Sequence, residues 1–471
     1  MTYSIVDPED YLDPQCIHPY ELFDDEELIE MYYNELGVSG YENPCAQINY
    51  AEFITFLLEK TVIVKNSSGK LLFYNRNTGV YDEEDGSILG NIVRFLLDQP
   101  GYSIYSSRIK REVDQQLISY PMITLSKFNN GDVLTFRNMA FNVKKLAGVN
   151  FSPRHMNTIR IGYIYDPEMN QCPVFKSFID VLTCGNVSRK ILLQEITGYL
   201  FSPGNDAQRS FIFYGKARSG KSTYAKLCAD LLGGVENGLV LSIPLKSLSS
   251  RFGLEGIDTA RAIINSETGN NEVIDTTIYK AIVSGDNIGI EEKFKKQRTI
   301  TAGCKILSFT NHYPQFTEID PSVERRILIF PCDAVIGEDK IDTNLSKKLR
   351  KELPAIFNWA MVGLKRLQES GWKFSETEET KQLLKNYILR SDPLNDFITQ
   401  YIREDCNAKF IKMCDIKRAF EKWSEVNNCG TKIKVTYNIF TDHIDGMGLK
   451  YTESAQNGYK GFKGLKMLKF S

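Results

Sequence analysis

Eight consecutive residues near the middle of the chain, GKARSGKS at positions 215–222, have the spacing of a loop that binds nucleotide phosphates. In the pattern G-x-x-x-x-G-K-[ST], glycines allow consecutive backbone N–H groups to curl around phosphate oxygens. The lysine then reaches the outer phosphates, and the serine hydroxyl can ligate Mg²⁺. We therefore predict a site for ATP and Mg²⁺ built from Gly215, Lys216, Ala217, Arg218, Ser219, Gly220, Lys221, Ser222 and Thr223.

Such a loop works only between a buried strand and a helix, because the helix directs its positive end at the phosphates. The residues before it, SFIFY at Ser210–Tyr214, are a short apolar and aromatic run of the kind found in buried strands. The residues after it, 223–232, have apolar positions at helical spacing. The context therefore favours a phosphate loop over an ordinary glycine-rich turn.

Hydrolysis also requires polar groups at the ends of neighbouring strands. Residues 260–265 predict a strand, and Glu267 follows it as a candidate for holding the metal and polarising water. Residues 304–310 predict another strand, and Asn311 follows as a candidate for orienting the attacking water. By spacing alone, Glu267 could equally cap a helix and Asn311 could simply begin a turn.

Two groups of cations are further candidates. Arg325 and Arg326 precede an apolar strand and could reach a γ-phosphate, while Lys293, Lys295 and Lys296 form a cluster of positive charge. Taken by themselves, both groups are also compatible with a solvated surface.

The order of five segments resembles the superfamily 3 helicases of the AAA+ class, specifically the branch shared by poxvirus and phage or plasmid primase-helicases. The upstream stretch TFRNMAFNVKKLAGVNFSPRHMNTIRIGYIYDP is similar to the lead-in region of that branch. The likeness spans roughly residues 130–370 and rests on GKARSGKS, ARAIINSE, YKAIVSGDNIGIEEKFKK, KILSFTN and SVERRILIF.

The resemblance implies a hexameric, ATP-dependent DNA helicase that translocates on single-stranded or forked DNA during replication of a mobile element. It makes Glu267 the acid of the second motif and Asn311 the polar sensor. Arg326, with Arg325 as the alternative, becomes a finger that acts on the neighbouring subunit. Lys293, Lys295 or Lys296 would lie on a hairpin in the ring pore and contact DNA phosphates there. The chain departs from many relatives in having Ser266 where they carry a first acid.

The expected architecture is α/β, with an AAA+ phosphate-loop core between an N-terminal α/β domain and a C-terminal winged helix. The predicted divisions are 1–125 for an acidic N-terminal domain, 126–185 for a lead-in or collar, 186–375 for the ATPase and 390–471 for the winged helix. Within the first, residues 50–65 predict a helix and 70–82 a strand. The winged helix is a candidate for binding origin duplex DNA through Lys460 and Lys463, although Asp442 and Asp445 lie on its expected reading helix.

Composition narrows the alternatives. The 471 residues, 42% hydrophobic and 25% charged with a net charge of -2, are typical of a multidomain globular protein. Ten scattered cysteines without a C-x-x-C pair, and four unpaired histidines, favour reduced thiols over a zinc site. No signal peptide or membrane span is recognisable, so a cytoplasmic location is expected. An ATP-gated winged-helix regulator without unwinding activity is the main alternative function, and a small-molecule kinase is a weaker one.

Overall fold

The computed structural model describes residues 50–468 with gaps. The undescribed positions within that range are 67, 100–101, 104, 121–123, 126–127, 130, 251–252, 266–272, 291–297, 313, 317–319, 338–341, 392, 427–434 and 457. The acidic segment before residue 50 therefore lies outside the described residues. In the described part of the chain, no helix is long and apolar enough to cross a membrane.

The first unit packs three helices against a small sheet with the strand order β3-β2-β1-β6. Its core includes Phe53, Leu57 and Phe73. The elements in chain order are α1 (Tyr50–Lys60), β1 (Ile63–Asn66), β2 (Leu71–Asn75), β3 (Val80–Glu83), α2 (Ile88–Leu97), β4 (Asp98–Gln99), β5 (Tyr102–Ser103), α3 (Ser107–Ser119) and β6 (Thr124–Leu125).

Two predictions for this unit were wrong in detail. The helix predicted for residues 50–65 ends at Lys60, because the β-branched run from Thr61 to Val64 favours a strand. The single strand predicted for residues 70–82 is a hairpin of β2 and β3. A turn at Gly79, whose φ of 72° suits glycine, separates the two strands.

A three-stranded antiparallel sheet and two helices connect this unit to the centre of the molecule. The helices carry apolar side chains that join the main core, among them Phe175, Phe178 and Leu192. The elements are β7 (Val133–Thr135), β8 (Ala140–Asn142), β9 (Ala147–Val149), α4 (Pro173–Leu182) and α5 (Val187–Tyr199).

The centre is a five-stranded sheet with the order β11-β12-β16-β10-β18, in which every neighbouring pair is parallel. The α/β class predicted from the sequence is thus confirmed as a mixed α/β fold with a parallel sheet. Its elements are β10 (Ser210–Tyr214), α6 (Lys221–Leu231), β11 (Val240–Leu241), β12 (Ala262–Asn265), β13 (Val273–Ile274), α7 (Thr276–Ser284), β14 (Asn287–Ile290), β15 (Arg298–Thr301), β16 (Lys305–Thr310), β17 (Gln315–Phe316), α8 (Pro321–Glu324), β18 (Ile327–Pro331), α9 (Leu345–Lys351), α10 (Leu353–Glu369) and α11 (Glu378–Ser391).

Helices cover both faces of this sheet, because its strands alternate large apolar side chains between the two sides. Phe211 and Phe213 of β10 face a core shared with α5, α6 and α10, whereas Ile212 faces a second core shared with α7 and Tyr387 of α11. Phe213 stacks on Phe309 of β16 with ring centroids 4.6 Å apart. The two cores fix the sheet between two helical layers.

The last unit has its own core around Phe397, Trp423, Phe440 and Phe462. Three helices pack with a β20-β22-β21 sheet and a short β19-β23 pair. The elements are α12 (Pro393–Tyr401), β19 (Ile402–Glu404), β20 (Ile411–Lys412), α13 (Met413–Val426), α14 (Tyr437–Gly446), β21 (Thr452–Gln456), β22 (Tyr459–Lys463) and β23 (Leu465–Met467).

Two cations are buried where β12 and β16 begin. Arg261 is 2% exposed and donates to the carbonyl oxygens of Gly131 (2.6 Å) and Phe201 (3.3 Å). Lys305 is 1% exposed and donates to the carbonyl oxygens of Ser202 and Gly303. Burial, with Arg261 adding to it, lowers the pKa of Lys305 well below the ordinary lysine value. The amine is thus held by carbonyl dipoles, without a carboxylate partner among the described residues.

The substitution Lys305→Met tests this. Between the depressed folded pKa and the ordinary value near 10.4, the unfolded wild-type chain binds a proton that the native state does not, so wild-type stability rises with pH in that window. As the pH rises toward the ordinary lysine value, the free energy of unfolding of the wild type should therefore increase relative to that of Lys305→Met, by up to about 1.4 kcal/mol per pH unit. Urea unfolding at several pH values measures it, with the exposed Lys365→Met as control. Parallel pH curves for wild type and Lys305→Met would contradict a neutral buried amine.

Candidate nucleotide-binding site

The glycine loop joins β10 to α6 at the carboxyl edge of the sheet. β10 ends at Tyr214 and α6 begins at Lys221, with Gly220 as its N-cap. Gly220 has a φ of 89° and Arg218 a φ of 62°, so the backbone passes twice through the left-handed region before the helix starts. Alternating backbone of this kind turns successive N–H groups toward one concave side, where an anion can bind.

Lys221 closes the loop on itself. It is 7% exposed, and its Nζ donates to the carbonyl oxygens of Gly215 (2.8 Å) and Lys216 (2.6 Å) and to Ser219 Oγ (3.0 Å). Burial lowers the pKa of this amine. A bound phosphate would supply negative charge in exchange for these neutral oxygens, and would favour the charged form of the amine.

The hydroxyl of Ser222 lies on the exposed side of the first turn of α6. Mg²⁺ suits such a site, because it keeps several waters and needs few protein oxygens when nucleotide phosphates supply others. Among the described residues, no three His, Cys, Asp or Glu side chains gather as a metal site. Ser222 therefore fits the predicted role, and Glu267 lies outside the described residues.

Residues 332–336, which follow β18, pack against the loop, and we call them the wall segment. The sequence motifs did not indicate this contact. The N–H of Cys332 donates to the Tyr214 carbonyl oxygen at 2.7 Å, and the N–H of Ile336 donates to the Arg218 carbonyl oxygen at 3.0 Å. A Cβ on Gly215 would lie 1.9 Å from the Cys332 carbonyl oxygen, so only glycine allows this approach. Burial raises the pKa of the Cys332 thiol to about 12, which keeps it neutral beside Lys221.

Arg189 of α5 holds the wall segment in place through an ion pair with Asp333. Its guanidinium is 8% exposed and donates to Asp333 Oδ2 at 2.7 Å and to Glu379 Oε2 at 2.9 Å. It therefore ties the wall segment to α5 and α11. No local motif identifies Arg189, because its two partners are more than 140 residues away in sequence.

Asn311 lies beside the loop because β16 is the neighbour of β10. Tyr214 pairs with Thr310, and the N–H of Gly215 donates to the Thr310 carbonyl oxygen at 3.3 Å. Asn311 comes next and is exposed at the same edge. Thr310 Oγ1 also bonds with both the N–H and the carbonyl oxygen of His312, which turns the chain away from the sheet.

The strand before Glu267 ends at the same edge, one position farther from the loop. Asn265, the last residue of β12, pairs with Ser308 of β16. Glu267 itself and Ser266 lie outside the described residues, as do Lys293, Lys295 and Lys296. The two strands around those lysines, β14 and β15, pair antiparallel from Asn287 with Thr301 to Ile290 with Arg298.

Arg325 and Arg326 lie at the opposite, amino edge of the sheet. β18 runs parallel to β10 and has 5 residues. At roughly 3.3 Å per residue, Arg326 is about 16 Å from the level of the loop in its own chain. Neither arginine therefore belongs to the loop's own end of the sheet.

The two arginines differ in what holds them. Arg326 is 8% exposed and donates to Ser284 Oγ at 2.7 and 2.9 Å and to the Ser322 carbonyl oxygen at 2.5 Å. Arg325 is exposed and, among the described residues, makes no side-chain hydrogen bond or ion pair. The geometry holds Arg326 by hydrogen bonds to neighbouring residues, whereas Arg325 is exposed at the same edge.

In the last unit, Lys460 and Lys463 are exposed on β22. Lys460 Nζ lies 5.6 Å from the ring centroid of Tyr437, and Lys412 Nζ lies 4.1 Å from that of Tyr459. Asp442 and Asp445 are exposed on α14. Among these residues, the positive charge therefore lies on β20 and β22, and the negative charge lies on α14.

The close approach at Gly215 generates a prediction. Gly215→Ala should force the loop away from Cys332, lowering the free energy of unfolding by roughly 1–3 kcal/mol and weakening ATP-analogue binding. Gly162→Ala is the control, since a Cβ there meets no atom within 4 Å. Thermal unfolding and calorimetric titration report the two effects. Equal affinity and stability in the two variants would argue against this contact.

A family of unknown function, DUF5906, matches residues 213–326, which run from the end of β10 to Arg326. Solved structures of the NrS-1 C-terminal region are similar over most of the chain. The apo structure has a TM-score of 0.50 at 12% identity, and the A-form apo structure has 0.48 at 13% identity. Each comparison covers 87% of this chain and 97% of the other. At such identity the likeness concerns the fold alone.

Proposed function

We propose that this chain is an ATP-hydrolysing DNA helicase of the AAA+ class, working as a hexamer on single-stranded DNA in the replication of a mobile element. The observation that carries the proposal is the placement of the candidate residues at two opposite edges of the sheet. The loop with Lys221 and Asn311 lies at one edge, and Arg325, which is exposed and has no side-chain partner among the described residues, lies at the other.

The strand order supports hydrolysis in addition to binding. β16 is inserted between β10, which leads into the loop, and β12, which leads toward Glu267. β16 therefore separates the end of β10 from the end of β12 by one strand width more than direct neighbours, about 4.8 Å, and Asn311 follows the strand between them. A water aligned by Asn311 and deprotonated with the help of Glu267 would face the γ-phosphate.

In the proposed reaction the loop and Lys221 hold the phosphate chain. The N–H groups between Gly215 and Lys221 bind its oxygens, and the amine of Lys221 leaves its carbonyl partners to meet the outer phosphates. Mg²⁺ bound with the nucleotide would supply further charge neutralisation next to Ser222. Asn311 orients the attacking water, so chemistry depends mainly on position and electrostatics.

Arg325 is our candidate for the cation that a second subunit contributes. Arg326 would have to give up three hydrogen bonds to reach a ligand, whereas Arg325 would give up none among the described residues. A head-to-tail contact that brings the amino edge of one sheet to the loop of the next copy repeats around a closed ring.

The DNA contacts are assigned to two places. The β14-β15 hairpin would carry Lys293, Lys295 and Lys296 into the pore, where contacts with phosphates tolerate any sequence. The last unit, which we interpret as a winged helix, would bind duplex DNA at an origin through Lys460 and Lys463 of its wing.

An ATP-gated DNA-binding regulator remains the alternative, because the exposed lysines of the last unit support duplex binding without any motor. Strand displacement on a forked duplex separates the two. A Lys221→Ala-sensitive displacement supports the helicase, and nucleotide-dependent binding without displacement supports the regulator.

For the motor, Lys221→Ala should reduce ATP turnover at least about 100-fold, because it removes a cation from the phosphates. Arg325→Ala should do the same while sparing nucleotide binding, and Arg326→Ala should mainly lower thermal stability. Mixing Lys221→Ala with Arg325→Ala copies should restore part of the turnover, since mixed interfaces contain one intact site. Lys365→Ala, an exposed cation on α10, is the control. Assembled mixed rings without turnover would speak against a finger supplied by the neighbour.

For the last unit, Lys460→Glu combined with Lys463→Glu should weaken duplex binding at least about tenfold at low salt and reduce the salt slope by about 2. Lys417→Glu on α13 is the matched charge reversal outside the wing. Fluorescence anisotropy over a salt series measures both quantities. An unchanged slope would remove the wing from the DNA interface.

A further inference from the structure

A cleft of about 530 Å³ opens at the amino edge of the central sheet, beside Arg325. It lies between the start of β10 and β18 on one side and the turn connecting α10 to α11 on the other. Its lining combines cationic and aromatic side chains: Arg209, Arg325, Arg326, Lys373 and Lys381, with Trp372 and Phe374. The remaining lining residues are Ala207, Gln208 and Glu376.

Among the described lining residues there are five cationic side chains and a single carboxylate, that of Glu376. Arg209 donates to Glu376 Oε1 at 2.6 Å and to the Ile327 carbonyl oxygen at 3.1 Å, so these two side chains hold one side of the cleft in place. Lys381 pairs with Glu378 at 2.8 Å. The side chains of Arg325 and Lys373 have no such partner among the described residues. The cleft therefore holds two uncompensated positive charges.

The turn after α10 holds Lys373 and Trp372 at the cleft through an uncommon backbone. Gly371 has a φ of 66° and Trp372 a φ of 65°, and the N–H of Trp372 donates to the Leu367 carbonyl oxygen at 2.8 Å. A bulky residue in the left-handed region costs on the order of 1 kcal/mol, and such strain is often found where a ligand binds. The Trp372 ring packs edge-on against Tyr199, with centroids 6.0 Å apart.

We propose that this cleft binds the phosphate chain of a nucleoside triphosphate, with Arg325 and Lys373 contacting the phosphates and Trp372 offering an aromatic wall to the base. Guanidinium groups match phosphate geometry, and the volume lies in the range of small-molecule sites. The nucleotide on the chain's own loop is at the opposite edge of the sheet, about 16 Å away along β18, and does not reach it.

The nucleotide has two possible sources. It comes either free from solution or on the loop of a second copy, and the latter source rests on the proposed function. In both cases Lys373 joins Arg325 as a phosphate-contacting residue, and Arg209 is a positioning residue that acts through Glu376.

The first experiment measures binding without turnover. In a Lys221→Ala background, which disables the loop, a non-hydrolysable ATP analogue and inorganic triphosphate are titrated by calorimetry. Binding from solution should persist, and adding Arg325→Ala and Lys373→Ala should weaken it at least tenfold. Lys365→Ala serves as the matched control, and thermal unfolding verifies that each variant is folded. Trp372→Phe should weaken the ATP analogue but not triphosphate.

The second experiment tests delivery by a second copy. Lys221→Ala copies, which keep an intact cleft, are mixed with Arg325→Ala/Lys373→Ala copies, which keep an intact loop. Recovery of ATP turnover in the mixture, together with no cleft binding in the first experiment, identifies the second copy as the source. A Lys373→Ala single variant in place of the double variant should recover in the same way and should show reduced turnover alone.

The proposal is overturned if Arg325→Ala and Lys373→Ala leave nucleotide binding in the Lys221→Ala background unchanged, and if the Lys373→Ala variant by itself turns over ATP as fast as Lys365→Ala. Loss of single-stranded oligonucleotide binding alone, with nucleotide binding and turnover intact, also overturns it and makes the cleft a nucleic-acid groove. Absence of ATP turnover by the wild-type protein would contradict the proposed function. The calorimetric titration alone would then show whether the cleft binds a nucleotide.

Discussion

The parallel pairing of β10 with both β16 and β18 is the interaction on which the rest of the structure depends. Parallel strands bring all their carboxyl ends to one edge, so the loop after Tyr214, the polar residue after Thr310 and the wall after Pro331 meet there. The pairing holds because Phe213 and Ile212 point to opposite faces and each face is covered by helices. A register slip would reverse both faces at once.

The same pairing places the two groups of candidate cationic side chains at opposite edges of the sheet. Lys221 lies at the carboxyl edge, while Arg325 and Arg326 precede β18 at the amino edge. Because the two edges are about 16 Å apart along β18, these cations cannot contact the same phosphate group within one chain. In the proposed ring, a nucleotide phosphate in the loop of one copy would supply the negative charge that faces the cationic edge of the next copy.

The amino edge of the sheet buries three basic side chains, which is energetically unfavourable unless polar partners are present. Arg261, Lys305 and Arg326 are each less than 10% exposed, and carbonyl and hydroxyl oxygens hold them in place of carboxylates. Neutral acceptors compensate the two buried guanidinium charges only in part, and each of the three side chains connects the beginning of a strand to a neighbouring segment. This edge supports Arg325 and the cleft next to it, where Arg325 and Lys373 have no ion-pair partner among the described residues.

The sequence by itself determined the loop, the strands Ser210–Tyr214 and Lys305–Thr310, and the α/β class, because local periodicity and glycine spacing are read directly from neighbouring residues. It did not determine which arginine is available, since the three hydrogen bonds of Arg326 come from Ser284 and Ser322, which only folding brings together. Nor did it indicate the wall segment after β18, the ion pairs of Arg189 with Asp333 and Glu379, or the cleft beside Trp372. These depend on contacts between segments far apart in sequence, which only the tertiary structure decides.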